Sequence, residues 1–218
     1  MAATLLAFTV GCGSPSRPSP SPGSAAPSPA DERPVALFLG TSLTAGYGLD
    51  PSEAYPALVQ RKIDAAGLRY RVVNAGVSGE TSAGALARLD WLLRQRVAVL
   101  VVETGANDGV RGIDPGAVRS NIRAILERAR RQEPAPRIVL VGMRALVNMG
   151  AEYGKSFRSL YPELARDSGA VLVPFLLKGV AGERELNQDD GIHPTAEGQR
   201  LMAETVWKYL EPLLSPSA

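Results

Sequence analysis

Two kinds of hydrophobic pattern alternate along this chain. Short runs of almost continuous apolar residues, bounded by glycine or polar residues, are typical of strands that are buried on both faces of a parallel sheet. Five such runs are present, at 35–39, 70–74, 97–102, 137–141 and 171–173. The segments between and after them place apolar residues three or four positions apart, which predicts amphipathic helices. This alternation predicts an α/β fold in which helices cover both faces of a five-stranded parallel sheet.

Proline and glycine positions predict where several helices begin and end. Asp114 and Pro115 suit the cap and the first position of a helix, and Pro194 would open the last helix. Gly67 is placed to end the first long helix. Pro162 lies inside the fourth helical segment, where it predicts a kink or a break because proline removes a backbone hydrogen bond. The predicted inward face of the helix that starts at Pro115 consists of Val118, Ile122, Ile125, Leu126 and Ala129.

Composition divides the chain into four segments. Residues 13–33 are nearly all Ser, Pro, Ala and Gly, with six of the 17 prolines between Pro15 and Pro29. Such a segment buries little and favours extended conformations, so it predicts a disordered linker with a reach of up to about 60 Å. The resulting division is a signal-like segment at 1–12, this linker at 13–33, one folded domain at 34–214 and a tail at 215–218.

The first segment resembles an export signal. An apolar run from Thr4 to Val10 precedes Gly11 and Cys12, and this ending resembles a bacterial lipoprotein signal in which the cysteine is lipidated. No Lys or Arg precedes the run, and Thr9 stands where such signals usually have leucine, so an unprocessed N-terminus is the alternative. The expected location is the periplasm or the cell envelope, with membrane anchoring through Cys12.

Composition and charge exclude several classes of protein. The 218 residues are 45% hydrophobic, which suits one sizeable core. The net charge is only +2, no run of Lys and Arg marks a nucleic-acid groove, and aromatic residues make up 6%, so no nucleic-acid partner is expected. No apolar run reaches the ~18 residues that a membrane-spanning helix needs. One cysteine and one histidine cannot form a Cys/His cluster for zinc.

Loops rich in small and polar residues follow the predicted strands. They lie at 40–43 after the first strand, 74–82 after the second, 103–109 after the third and 190–193 beyond the fifth. The carboxyl ends of parallel strands lie at one edge of a sheet, and ligands of such sheets bind beyond that edge. We therefore expect these four segments to meet at one site.

A hydroxyl, an imidazole and a carboxylate in these loops could form a catalytic triad. The single histidine, His193, is a candidate general base, and Asp190 could hold its ring. Ser42 becomes a strong nucleophile if His193 takes its proton. Attack on an acyl carbon would create an oxyanion. Candidate donors to that oxyanion are the backbone N–H groups of Ser42 and Gly79 and the side-chain amide of Asn107.

These segments closely resemble the SGNH (GDSL-type) hydrolase family. Ser42 matches its nucleophile block, Gly79 its glycine block, 105–108 its G-x-N-D block and 190–193 its D-x-x-H block. The resemblance covers about residues 35–212 and is closest to the branch of bacterial arylesterases and multifunctional thioesterase/lysophospholipases. It implies a flavodoxin-like, three-layer α/β/α fold and hydrolysis of esters or thioesters by a serine triad, without a metal or another cofactor.

Two positions depart from the family pattern. Thr41 replaces the aspartate that usually precedes the serine, which puts the rigidity of the nucleophile loop in doubt more than the chemistry. Ala106 stands where relatives often have glycine. The D-x-x-H spacing favours Asp190 as the partner of His193, and Asp189 is the alternative.

Motifs of other folds do not fit this sequence. Residues 40–44 lack the last glycine of the G-x-S-x-G elbow of α/β-hydrolases. Residues 150–156 have three residues between their glycines where a phosphate loop needs four, so we expect a mobile loop over the acyl site there. Glu103 and Asp108 lie near the predicted site, and no catalytic role is expected for either.

The main functional hypothesis is an exported serine esterase that acts on a small-molecule acyl ester, a lysophospholipid or an acyl thioester. One alternative uses the same site as a polysaccharide O-deacetylase or an acyltransferase. Another is a non-catalytic lipid-binding protein of the envelope on a hydrolase fold. Labelling of Ser42 by an organophosphonate would separate the enzymes from the binding protein.

Overall fold

The computed structural model of the chain describes residues 32–145 and 147–215. The predicted signal segment at 1–12 with Cys12, almost all of the linker at 13–33, and the last three residues of the tail lie outside the described residues. No helix in the described part is long and apolar enough to cross a membrane.

Five parallel strands form one sheet in the order β2-β1-β3-β4-β5. Their bounds are β1 Val35–Gly40, β2 Arg71–Gly76, β3 Val97–Glu103, β4 Arg137–Val141 and β5 Val171–Val173. Every residue of β1 is buried, because helices cover both faces of this strand. All five predicted strands are confirmed, and so is the three-layer α/β class.

Seven helices connect and cover these strands in the described part of the chain. Their bounds are α1 Ser42–Ala45, α2 Tyr55–Ala65, α3 Ser82–Leu92, α4 Ala106–Val110, α5 Pro115–Arg130, α6 Ala151–Ser168 and α7 Ala196–Leu214. Short 3-10 turns lie at Pro51–Glu53, Val147–Met149 and Arg184–Leu186. Helix α2 packs against α7, while α5 packs between α3 and α6, which gives one helical layer on each side of the sheet.

The predicted start and inward face of α5 are confirmed. Asp114 caps the helix by accepting a hydrogen bond from the backbone N–H of Ala117, and Pro115 is the first helical residue. All five apolar residues predicted to face inward are buried in the core. Gly67 follows the end of α2 with a φ of 68°, as expected of a glycine that ends a helix.

Helix α6 corrects two predictions. The predicted break at Pro162 is wrong, since α6 continues to Ser168 with Tyr161 and Leu164 buried on either side of the proline, while the alternative of a kink stays a prediction. Burial of this apolar face stabilises the helix against the hydrogen bond that proline removes. Residues 151–156 are the first turns of the same helix and are not a mobile loop. Tyr153 holds them by stacking on Phe157 and donating a hydrogen bond of 2.8 Å to the carbonyl of Ile113.

The start of α7 corrects a third prediction. The helix begins at Ala196, and Thr195 is its cap, with its hydroxyl accepting a hydrogen bond from the backbone N–H of Gly198. Pro194 instead pairs with Asn187 in an isolated antiparallel bridge. The hydroxyl of Thr195 supplies the acceptor that helix N-termini require, and proline cannot supply one.

Candidate active site

Ser42 lies where the sequence predicts it, in the turn that follows β1. It is the first residue of α1, and the preceding Thr41 caps this short helix by accepting a hydrogen bond from the N–H of Leu43. Ser42 is 9% exposed, and its Oγ lies 3.0 Å from Nε2 of His193. The structure therefore brings together a hydroxyl and an imidazole that are 151 residues apart in the chain.

Asp190 holds the other side of the imidazole ring. Its Oδ2 lies 2.6 Å from Nδ1 of His193, and its Oδ1 accepts hydrogen bonds of 2.9 Å from the backbone N–H groups of Ile192 and His193. Gly191 allows this tight turn through a φ of 69°. The hydrogen bond from His193, together with the two backbone donors, lowers the pKa of Asp190 to about 2. The carboxylate beside the ring is thus that of Asp190, as the spacing predicts, and not that of Asp189.

The face of the imidazole is covered by a residue that the sequence analysis did not single out. The ring of Tyr47 packs against that of His193 with 4.5 Å between the ring centroids. Gln188 ties the two loops together, because its Nε2 donates to the carbonyls of Tyr47 at 2.8 Å and Pro194 at 3.0 Å. A side chain at Gly48 would collide with Gln188, since a Cβ there would lie 2.4 Å from Oε1 of that residue.

The three predicted oxyanion donors lie in loops that the structure connects. The backbone N–H of Val77 donates to the carbonyl of Gly40, which fixes the loop after β2 beside the nucleophile turn. Asn107 donates one amide hydrogen to the carbonyl of Glu80 at 2.9 Å, which leaves its second amide hydrogen available. Among the described residues, no acceptor is paired with the backbone N–H of Ser42 or Gly79.

Glu103 supports the nucleophile turn from below. This carboxylate is fully buried and accepts hydrogen bonds from the backbone N–H and hydroxyl of Thr41, at 2.8 and 2.9 Å, and from the hydroxyl of Thr44 at 2.8 Å. The hydroxyl of Thr44 is also paired with that of Tyr55 at 2.9 Å. Burial raises the pKa of Glu103, and the donated hydrogen bonds partly oppose that rise. Thr41 therefore ties the nucleophile loop to Glu103. This corrects the expectation that the loop would be less rigid without the aspartate.

A partly buried ion pair and a buried carboxylate hold the loop that carries Gly79. Arg88 contacts both carboxylate oxygens of Glu80, at 2.6 and 2.7 Å, and donates to the carbonyl of Ala75 at 2.6 Å. Asp108 accepts hydrogen bonds from the backbone N–H of Ser82 at 2.8 Å and from its hydroxyl at 2.6 Å. These contacts fix the loop at both ends and position its glycine.

Arg111 and Gly105 complete the walls of the site. Arg111 donates a hydrogen bond of 2.9 Å to the carbonyl of Gly79, whose φ of 77° turns its peptide groups into this arrangement. Gly105 has a φ of 102° and lies against Tyr161, whose hydroxyl would be 2.4 Å from a Cβ at that position.

Within residues 32–145 and 147–215, no group of three or more His, Cys, Asp or Glu side chains could hold a metal ion.

Comparison with known proteins identifies the family of this chain. Residues 38–201 match the model of the GDSL-like Lipase/Acylhydrolase family. The chain is 41% identical over 179 residues to Esterase TesA of Pseudomonas aeruginosa, with 82% of this chain and 88% of that protein covered. It is 38% identical over 180 residues to Thioesterase 1/protease 1/lysophospholipase L1 of Escherichia coli, with 82% of this chain and 84% of that protein covered.

A solved structure supports the same relationship. The esterase EstA from Pseudoalteromonas sp., inhibited by monoethylphosphonate, aligns with a TM-score of 0.77 at 34% identity, covering 83% of this chain and 98% of the other. The family match covers well over half of the chain, and the sequence relatives align over most of their own length. This chain belongs to the GDSL-like lipase/acylhydrolase family of SGNH hydrolases and is a carboxylic ester hydrolase.

Proposed function

We propose that Ser42, His193 and Asp190 are the catalytic triad of a serine esterase that forms an acyl-enzyme. The observation that carries this proposal is the unbroken chain of short contacts from Ser42 Oγ through both nitrogens of His193 to Asp190. A hydroxyl is a weak nucleophile, and a base within hydrogen-bond reach activates it. The carboxylate fixes the tautomer of the ring and stabilises the imidazolium that forms.

The proposed reaction proceeds in two balanced halves. His193 Nε2 takes the proton of Ser42 as Oγ attacks the acyl carbon, and the same proton then passes to the leaving alcohol or thiol. Water attacks the acyl-enzyme in the second half, with His193 again acting as base, and the carboxylic acid leaves with Ser42 restored. The backbone N–H groups of Ser42 and Gly79 and the amide of Asn107 would stabilise the tetrahedral oxyanion.

The surroundings of Ser42 suit an apolar acyl group. Five large hydrophobic side chains of the described part are exposed, and four of them lie in the segments around the site, namely Tyr47, Val77, Val110 and Ile192. A groove of about 860 Å³ is lined by Gly191 and Ile192 of the turn that carries His193 and by apolar side chains that include Leu177 and Tyr209. Apolar grooves of this size hold ligands by burying apolar surface. We therefore propose acyl esters, including thioesters and lysophospholipids, as substrates, with the acyl chain in this groove.

The proposed cellular setting rests on the sequence of the N-terminal segments. A lipid on Cys12 would anchor the protein to the envelope, and the linker at 13–33 would connect that anchor to the folded domain at 34–214. Incorporation of radiolabelled palmitate in a bacterial host tests this arrangement. Label that is retained after Cys12→Ser would contradict it.

A kinetic panel tests the function. Hydrolysis of p-nitrophenyl acetate, butyrate, octanoate and palmitate should depend on Ser42, and Ser42→Ala should remove turnover while leaving the thermal unfolding curve in place. Ala181→Phe adds an aromatic ring to the groove and should shift the preferred acyl chain to a shorter one. Ala135→Phe adds the same ring at the opposite edge of the sheet and is the matched control.

The outcomes separate the candidate functions. An unchanged chain-length profile in Ala181→Phe would contradict the assignment of the groove. Turnover of acetylated xylan with no turnover of simple esters would favour the polysaccharide O-deacetylase. Wild-type rates in Ser42→Ala would contradict the mechanism itself.

A further inference from the structure

The charged residues of the domain are divided between the two edges of the sheet. The basic edge comprises the segments that flank the N-terminal ends of the strands, at 32–34, 69–71, 94–96, 131–137 and 168–170. These segments contain seven arginines and two carboxylates, Glu32 and Glu133, whereas the whole chain has a net charge of only +2. The remainder of the chain is therefore net negative.

Most of that negative charge lies at the opposite edge. The catalytic edge comprises the loops after the strands, at 41–54, 77–81, 104–114, 142–150 and 174–195, and it carries nine acidic and four basic residues. Because all five strands are parallel, these two sets of segments lie at opposite ends of the sheet. A strand of six residues separates them by about 20 Å. The domain is thus electrically polarised along the strand direction.

Structural roles account for only part of the basic edge. Arg131 is the C-cap residue of α5, where a cation stabilises the helix dipole, and Arg137 donates a hydrogen bond of 2.6 Å to the hydroxyl of Tyr70. Arg69, Arg94 and Arg96 are exposed and lie beyond the helix ends. Within the described part of the chain, no side-chain hydrogen bond or ion pair joins these three to another residue.

A cleft of about 460 Å³ opens at this edge. Three arginines line it, Arg33, Arg96 and Arg137, together with Tyr70 and one carboxylate, Glu32. Guanidinium groups bind phosphate oxygens in paired hydrogen bonds, and they keep their charge at any physiological pH. The cleft and the exposed arginines around it therefore suit a surface that presents many phosphate groups.

We propose that the basic edge docks on the anionic surface of a phospholipid bilayer. The described part of the domain begins at Glu32, on this same edge. An anionic surface attracts the basic edge and repels the catalytic edge, so the charges of both edges favour the same orientation of the domain on the membrane. In that orientation Ser42 faces away from the bilayer, and substrates reach it from the aqueous side.

Vesicle binding tests this proposal. The unlipidated full-length chain, carrying Cys12→Ser, is sedimented with vesicles of phosphatidylcholine alone or of phosphatidylcholine with phosphatidylglycerol. Each arginine near an anionic surface strengthens partitioning about five-fold, so neutralising three should weaken it about 100-fold. The test variant combines Arg94→Gln, Arg96→Gln and Arg131→Gln.

A matched control separates surface charge from total charge. Arg123→Gln, Lys155→Gln and Arg158→Gln remove the same net charge from exposed positions on α5 and α6, outside both the basic edge and the catalytic edge. We expect the control to bind like the parent chain and the test variant to be released. Hydrolysis of p-nitrophenyl butyrate should be unchanged in both variants, which shows that they are folded.

Three results would overturn the proposal. They are equal binding to neutral and anionic vesicles, equal loss of binding in the test and control variants, and retention on heparin without retention on anionic vesicles. Salt provides a second measurement on the parent chain alone. Binding should fall steeply between about 0.01 and 0.15 M salt, because the screening length shortens from about 30 to about 8 Å. Binding that is insensitive to salt would also overturn the proposal.

Discussion

The hydroxyl of Thr41 should contribute measurably to the free energy of unfolding of this domain. Thr41→Val keeps the shape of the side chain but removes the donor that lies 2.9 Å from Glu103 Oε2, and it removes the acceptor of the Leu43 N–H. Leaving a buried polar group without its hydrogen-bond partner costs about 1–3 kcal/mol, so we expect the free energy of unfolding to fall by about that amount. In a domain of this size each kcal/mol corresponds to about 2–4 °C in Tm.

Urea unfolding and steady-state kinetics check this expectation together. Thr41 precedes the nucleophile, so its loss should reduce kcat by about 10-fold or more with little change in KM, since a displacement of about 1 Å can cost about 10²-fold. Thr41→Ser keeps the hydroxyl and is the control, with an expected stability loss below about 1 kcal/mol for the missing methyl group. The reasoning is refuted if Thr41→Val matches Thr41→Ser in both stability and kcat.

The remaining predictions concern Glu103, Asp190 and Asn107. Burial raises the pKa of Glu103 in the folded state, so the folded protein holds its proton more strongly than the unfolded chain does. The contribution of Glu103 to stability should therefore be fully present at low pH, and the stability of the parent chain should fall relative to that of Glu103→Gln as pH rises above about 4.3, the ordinary glutamate value. Urea unfolding from pH 4 to 8 measures this, and parallel curves would contradict it. Asp190→Asn should lower kcat by about 10³–10⁴-fold, whereas Asp189→Asn, the matched control, should leave it nearly unchanged. Because the pKa of Asp190 is lowered to about 2, this carboxylate should add no ionisation to the wild-type rate profile above about pH 4, and its stabilising contribution should be lost only as pH falls from 3.8 toward 2. Asn107→Ala should lower kcat by about 10²–10³-fold with a smaller change in KM, and a normal kcat would remove this amide from the oxyanion site.

Periodic burial is the part of the fold that the sequence predicts best. A strand covered on both faces must be apolar at every position, so β1 and β3 stand out as continuous apolar runs. The start of α5 is equally visible, because Asp114 and Pro115 meet the local requirements of a helix N-terminus. These features depend on neighbouring residues alone.

The meeting of distant loops follows from topology. Parallel strands direct all their carboxyl ends to one edge, so a serine after β1 and a histidine before α7 are expected in the same region. The contact of 3.0 Å between Ser42 and His193 agrees with that expectation. The pairing of a serine with a histidine at that edge could therefore be predicted from the sequence without any interatomic distance.

Long-range partners could not be anticipated in the same way. The burial of Glu103 beneath Thr41 and Thr44 depends on contacts across about 60 residues of chain, and no local pattern encodes them. The only sequence signal for this contact is that Glu103, a carboxylate, directly follows the apolar run at 97–102. The continuity of α6 through Pro162 has a similar cause, because tertiary burial of its apolar face overrides a local helix breaker.

A covalent probe tests the central claim most directly. An organophosphonate that mimics the tetrahedral intermediate should react with one residue per chain, and peptide mass spectrometry should place the adduct on Ser42. The reaction should be abolished in Ser42→Ala and strongly slowed in His193→Ala, because the base that activates the hydroxyl would be missing. An adduct on a different residue, or full labelling of His193→Ala at the wild-type rate, would contradict the proposed mechanism.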